Sequence, residues 1–180
     1  MAVETLRPNA AGDTTDIQAQ YPVSTFHYDK VDEAVSDGDT TYVYIYSDDA
    51  WSKYDLYNLP SHSIGSGTIN SIKIYCVCKE WGVAYCRIKL KTGGAEYDNG
   101  SDLALTSSWV SYSNQWNTNP KTSSAWTWTD IDALQIGVYL KGEAATAGYC
   151  TQVYVEVDYT EALPQFGNSM VSKLIAAGIL

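Results

Sequence analysis

The chain has 180 residues, 45% hydrophobic and 18% charged, a balance that fits one folded domain with a sizeable core and excludes a disordered chain. Lys and Arg number 11 against 21 Asp and Glu, so the formal charge of -10 repels phosphate backbones, and no basic run offsets it, which excludes nucleic acid as a partner. Tyr (15) and Trp (6) far outnumber Phe (2), and both of these rings join an apolar body to a polar handle suited to half-wet surfaces.

The opening Met1-Ala2-Val3-Glu4-Thr5-Leu6-Arg7 has no basic region leading into an apolar one, so the expectation is synthesis in a cytoplasm without an export signal. Turn clusters follow at Asn9-Ala10-Ala11-Gly12-Asp13, Ser36-Asp37-Gly38-Asp39 and Ser47-Asp48-Asp49, then at Gly65-Ser66-Gly67, Gly93-Gly94 and Asp98-Asn99-Gly100-Ser101. Between them period-2 alternation dominates, the mark of strands with one buried face. Thr41, Val43 and Ile45 alternate with Tyr42, Tyr44 and Tyr46, which predicts an aliphatic face backed by a tyrosine ladder. Ile72 to Lys79 and Val83 to Lys91 read as a hairpin around Glu80-Trp81-Gly82, a register that sets Cys76 opposite Cys86 and, as its weak point, Lys73 opposite Lys89.

A short helical turn is expected at Thr129-Asp130-Ile131-Asp132-Ala133-Leu134, with Thr129 as its cap. Leu134, Ile136, Val138 and Leu140 form one further strand, and Val153, Val155 and Val157 another, all pointing inward. The fold expected is all-β: an antiparallel β-sandwich over residues 1–160, with a short C-terminal helix or arm. Residues 161–180 form a linker and an apolar segment whose Met170, Val171, Leu174, Ile175, Ile179 and Leu180 make a one-sided pattern suited to subunit contacts. That segment is shorter than the roughly 20 apolar residues of a bilayer span.

Few residues bear chemistry. Two histidines, His27 and His62, leave little room for a metal triad or a Ser-His-Asp relay, and His62 reads as part of a polar loop after Pro60. Cys76, Cys78, Cys86 and Cys150 lack the two-residue spacer of zinc loops and read as reduced, buried strand cysteines, with a Cys76 to Cys86 disulfide geometrically feasible. Asp37, Asp39, Asp48 and Asp49 are weak calcium candidates in acidic turns, and no other cofactor is expected. Asn99-Gly100-Ser101 matches a glycosylation sequon and reads as the tip of a turn. Trp109, Trp116, Trp126 and Trp128 are the candidate platform for stacking on sugar rings.

Several stretches carry a resemblance. Glu4-Thr5-Leu6-Arg7-Pro8-Asn9, Trp116-Asn117-Thr118-Asn119-Pro120, Trp126-Thr127-Trp128-Thr129-Asp130 and Thr151-Gln152-Val153-Tyr154-Val155-Glu156-Val157 are similar to the jelly-roll modules of tailed-phage virion proteins and microbial surface proteins. The resemblance implies a jelly-roll β-sandwich over residues 4–159. It implies first a non-enzymatic structural subunit of a virion (a capsid decoration, head-fibre or tail accessory protein) that assembles with copies of itself and with other virion subunits. The alternatives are a carbohydrate-binding or adhesion module that meets surface glycans, and a subunit of an extracellular filament; an enzyme comes last. The corresponding locations are the virion, made in a host cytoplasm, or an extracellular surface.

Overall fold

The computed structural model describes residues 2–47, 51–63 and 67–162. Twelve strands run in chain order: β1 (Ala2–Leu6), β2 (Ala10–Thr15), β3 (Ala19–Tyr21), β4 (Tyr42–Ser47), β5 (Trp51–Asn58), β6 (Gly67–Trp81), β7 (Ala84–Thr92), β8 (Ala95–Asp98), β9 (Leu103–Ala104), β10 (Val110–Trp116), β11 (Gln135–Gly142) and β12 (Thr146–Glu161). They form two six-stranded antiparallel sheets packed as a jelly-roll β-sandwich. Sheet A runs β10-β6-β12-β4-β3, with β1 sharing the β4 edge of β12; sheet B runs β2-β5-β11-β7-β8, with β9 also on β7.

The core is what the alternation requires. Ile72, Ile74, Cys76 and Cys78 of β6 and Val153, Val155 and Val157 of β12 meet Cys86, Ile88 and Leu90 of β7 and Ile136, Val138 and Leu140 of β11, all fully buried. Each buried aliphatic side chain is worth about 1.5–3 kcal/mol. Gly137 is needed where β11 passes β5, because a Cβ there would lie 1.9 Å from the Asp55 carbonyl oxygen.

The structure corrects the hairpin. β6 pairs with β10 and β12, whereas β7 pairs with β11, β8 and β9, so the chain crosses from one sheet to the other between Trp81 and Ala84. Cys76 and Cys86 are therefore neighbours through the core, not along a ladder, and Lys73 and Lys89 lie on different sheets. The helix is also shifted: α1 spans Trp128–Asp132, and its cap is Thr127, not Thr129. Thr127 and Asp130 form a reciprocal capping box, which Thr129 could not build with a residue three further on that already bonds His62. The linker and the C-terminal positions Met170, Val171, Leu174, Ile175, Ile179 and Leu180 lie outside the described residues.

A long connection between β3 and β4 docks on a bulge in β12. There the Thr151 hydroxyl donates to the Thr41 carbonyl (2.8 Å), and the Gln152 amide donates to the Glu33 carbonyl (2.6 Å). This docking places Asp37, Gly38 and Asp39 beside the outer face of sheet A.

Candidate functional site: the aromatic face of sheet A

Because Val43 and Ile45 point into the core, Tyr42, Tyr44 and Tyr46 must point out, as the alternation predicts. Antiparallel pairing brings Tyr149 of β12 directly opposite Tyr44. The rings brace one another: Tyr42 lies 5.3 Å from Tyr21, 5.7 Å from Tyr44, 5.5 Å from Tyr149 and 6.3 Å from Trp109, and Tyr44 stacks on Tyr149 at 5.8 Å. Offset and edge-to-face pairs of this kind add about 0.5–1.5 kcal/mol each beyond their burial. Their geometry is thus held in place before any ligand arrives.

One cation enters the cluster. The Lys79 ammonium sits 4.7 Å from the Trp109 ring centre and 5.5 Å from that of Tyr149, and it is ion-paired to Asp39. Trp109 also donates its indole N–H to Asp39 (3.2 Å). The hydrogen bond that Lys79 donates is the chief cause holding the Asp39 carboxyl below its ordinary value, while burial raises the Tyr42 and Tyr149 hydroxyls above theirs, so both phenols stay neutral. Gly38, at φ +64°, lets the loop approach: a Cβ there would come within 3.3 Å of the Trp109 indole nitrogen. Tyr42, Lys79, Glu80, Trp81, Ser107 and Tyr149 line an open groove of about 310 Å³ on this face, and Trp81 is 61% exposed at its rim.

The tryptophans proposed as a platform are divided by the fold. Trp109 belongs to this face. Trp116 is at the far end of β10, pairing with Ile72 where Val110 pairs with Cys78, roughly 20 Å along the strand. Trp126 is a correction: it is 3% exposed, part of the core, and its indole N–H is bonded to the Trp116 carbonyl, so its ring offers no face to a sugar. Trp128 packs on the core edge, stacked on His62 at 4.7 Å. The tyrosines that join Trp109 were foreshadowed by the Tyr42-Tyr44-Tyr46 alternation; Tyr149 and Lys79 come from strands whose adjacency only the fold supplies.

The other chemistry-bearing residues are structural in their contacts. Asp37 accepts from the Thr41 and Thr151 hydroxyls, whereas Asp39 turns to Lys79, so the two calcium candidates belong to separate networks; Asp48 and Asp49 lie outside the described residues. The fully buried Asp55 accepts from the Asp16 and Ile17 amides (2.7 and 2.8 Å) and from the Tyr57 hydroxyl (3.1 Å), and lies 2.6 Å from His27 Nδ1. His62 bonds Asp132 at 2.7 Å. Asn99 lies in a turn after β8, its side-chain oxygen accepting from the Ile88 amide. No helix among the described residues is long and apolar enough to cross a membrane.

No protein-family profile matches the chain, and no curated protein matches it. Solved structures do. TmCBM61 in complex with beta-1,4-galactotriose aligns at 14% identity and a TM-score of 0.43, over 64% of this chain and 70% of that one. The N-terminal cellulose-binding domain from Cellulomonas fimi beta-1,4-glucanase C aligns at 16% identity and a TM-score of 0.39, over 68% and 80%. The enzymatically active domain of bacteriophage CBA120 tailspike protein 4 aligns at 6% identity and a TM-score of 0.44, over 87% of this chain and 19% of that one. What this chain binds is a question for its own side chains.

Proposed function

We propose that the protein is a non-catalytic carbohydrate-binding module that takes a neutral glycan on the aromatic outer face of sheet A, at a cell or particle surface where such glycans are displayed. The observation that carries this reading is the mutually braced set Tyr42, Tyr44, Tyr149 and Trp109 beside an open groove. Sugar rings present an apolar face ringed by hydroxyls, and this set answers both: neutral phenol and indole rings for the face, and the Glu80, Lys79 and Ser107 side chains at the groove for the hydroxyls. A neutral ligand is favoured because Asp39 already neutralises Lys79 and because the chain's charge of -10 repels anionic glycans. The first reading of the sequence, a virion subunit docked by its C-terminal segment, rests on positions outside the described residues. A glycan array probed with the full chain, followed by tryptophan-fluorescence titration of the best hits, tests the proposal. The expected result is binding of neutral oligosaccharides with a change in indole emission; an array without hits, or hits confined to sulfated or sialylated glycans, overturns it.

A further inference from the structure

Four cysteines converge in the core: Cys76 and Cys78, two residues apart on β6 and so on one side of the strand; Cys86 from β7 in the opposite sheet; and Cys150 of β12, directly paired with Cys78. All four are fully buried, and the sulfurs of Cys76, Cys78 and Cys86 lie within 4.8 Å of one another. Such a triad has two possible uses, a soft metal ion or a disulfide. Three thiolates around one divalent ion would leave a net negative charge among Ile74, Ile88, Leu140 and Val153, in a core whose backbone amides are engaged in sheet ladders. A disulfide is neutral and carries no such cost.

We propose that Cys86 is an oxidation site that bonds Cys76 and so joins the two sheets covalently through the core. Cys76 is the partner because Cys78 already has a second neighbour in Cys150, so that only the pairing of Cys76 with Cys86 and of Cys78 with Cys150 uses all four thiols. With a small-molecule disulfide as oxidant, the Cys86 thiolate attacks one sulfur, forms a mixed disulfide and releases one thiol. The Cys76 thiolate then attacks the Cys86 sulfur, forms the inter-sheet bond and releases the second thiol, so two protein thiols are oxidised as one disulfide is reduced. Full burial confines these steps to folding or to opening of the sandwich, and the same burial protects the finished bond from reductants.

The test is to refold the full chain with oxidised glutathione or with a reductant, alkylate in denaturant, and map disulfide-linked tryptic peptides by mass spectrometry. Cleavage after Lys73, Lys79 and Arg87 separates the strand carrying Cys76 and Cys78 from that carrying Cys86. The expected product links these two peptides, survives in Cys78→Ala and is lost in Cys76→Ala, and it slows unfolding in urea by about tenfold or more until a reductant is added to the unfolded chain. Four free thiols after oxidative refolding, a Cys86 bond that persists in Cys76→Ala, or stoichiometric zinc bound to the reduced protein would overturn the proposal. Fragmentation of the wild-type linked peptides between Cys76 and Cys78 assigns the bond even if a variant fails to fold.

Discussion

The two sheets of the sandwich share one core but differ in how the tyrosines of their outer faces meet one another. On sheet B each central tyrosine is covered by a cation: Lys89 lies 4.1 Å above Tyr54, Arg87 5.3 Å from Tyr139 and Lys141 5.3 Å from Tyr85. Those cations are in turn neutralised, Arg87 by Asp98 and Asp102, Lys141 by Asp102 and Lys89 by Glu96. On sheet A, Tyr21, Tyr42, Tyr44 and Tyr149 contact one another, and among the described residues no ring-to-ring pair of this kind lies on the outer face of sheet B. On sheet B each ring shares its face with a cation held by carboxylates, whereas on sheet A Lys79 lies at the Trp109 and Tyr149 end of the cluster and Tyr21, Tyr42 and Tyr44 are braced by other rings. The same residue type thus serves as solvated surface on one side and as a candidate binding surface on the other.

The largest effect is expected from removing the frame that both faces share. Asp55→Ala would strand the Asp16 and Ile17 amides and the Tyr57 hydroxyl inside the protein, at a cost of about 3–5 kcal/mol, and both faces should be lost together. Equilibrium urea denaturation, with a lower midpoint and an unchanged slope, checks this.

A matched pair of truncations sharpens it. Tyr149→Ala should weaken glycan binding at least about tenfold, or about 1.4 kcal/mol, while Tyr139→Ala on sheet B leaves affinity within about twofold. Calorimetric titration of both variants with the best array ligand decides; equal losses would erase the distinction between the faces.

Much of this distinction was legible in the residues and some was not, for definite reasons. The outward direction of Tyr42, Tyr44 and Tyr46 follows from Val43 and Ile45, since a strand allows only two sides. The partners of β6 did not follow, because matched apolar positions satisfy a lateral neighbour and a neighbour across the core equally well; hence the misplaced hairpin and the true position of Cys86. Tryptophan content likewise could not separate the buried ring from the exposed one, since Trp126 satisfies its indole N–H internally and Trp109 does so on an exposed carboxylate. Lys79 was invisible as a site residue because its meaning depends on Asp39 from a loop forty residues earlier.

Smaller effects refine the electrostatic side. Lys79→Met should alter glycan affinity only about threefold and let the Asp39 carboxyl rise toward its ordinary value, followed by carboxyl NMR titration. The smallest expected change is on sheet B. Lys141 and Arg87 lower the Asp102 carboxyl, so its contribution to stability is full above the ordinary carboxylate value and is lost as pH falls through the lowered folded-state value. Asp102→Asn should therefore flatten the dependence of the urea midpoint on pH between about 5 and 2, and a variant with the wild-type slope would count against this pairing.

The position of β12 sets the order in which the chain can become a protein. Its ladder partners are β1, β4 and β6, with Ala2 opposite Tyr159 and Tyr44 opposite Tyr149, so the middle strand of sheet A is made after every strand it pairs with. Until then β1 has no lateral neighbour to close upon, and β4 and β6 each wait with one edge open. Contacts this distant in sequence make folding slow for entropic reasons, and they make a chain cut short before residue 146 a species without a centre for half of its structure.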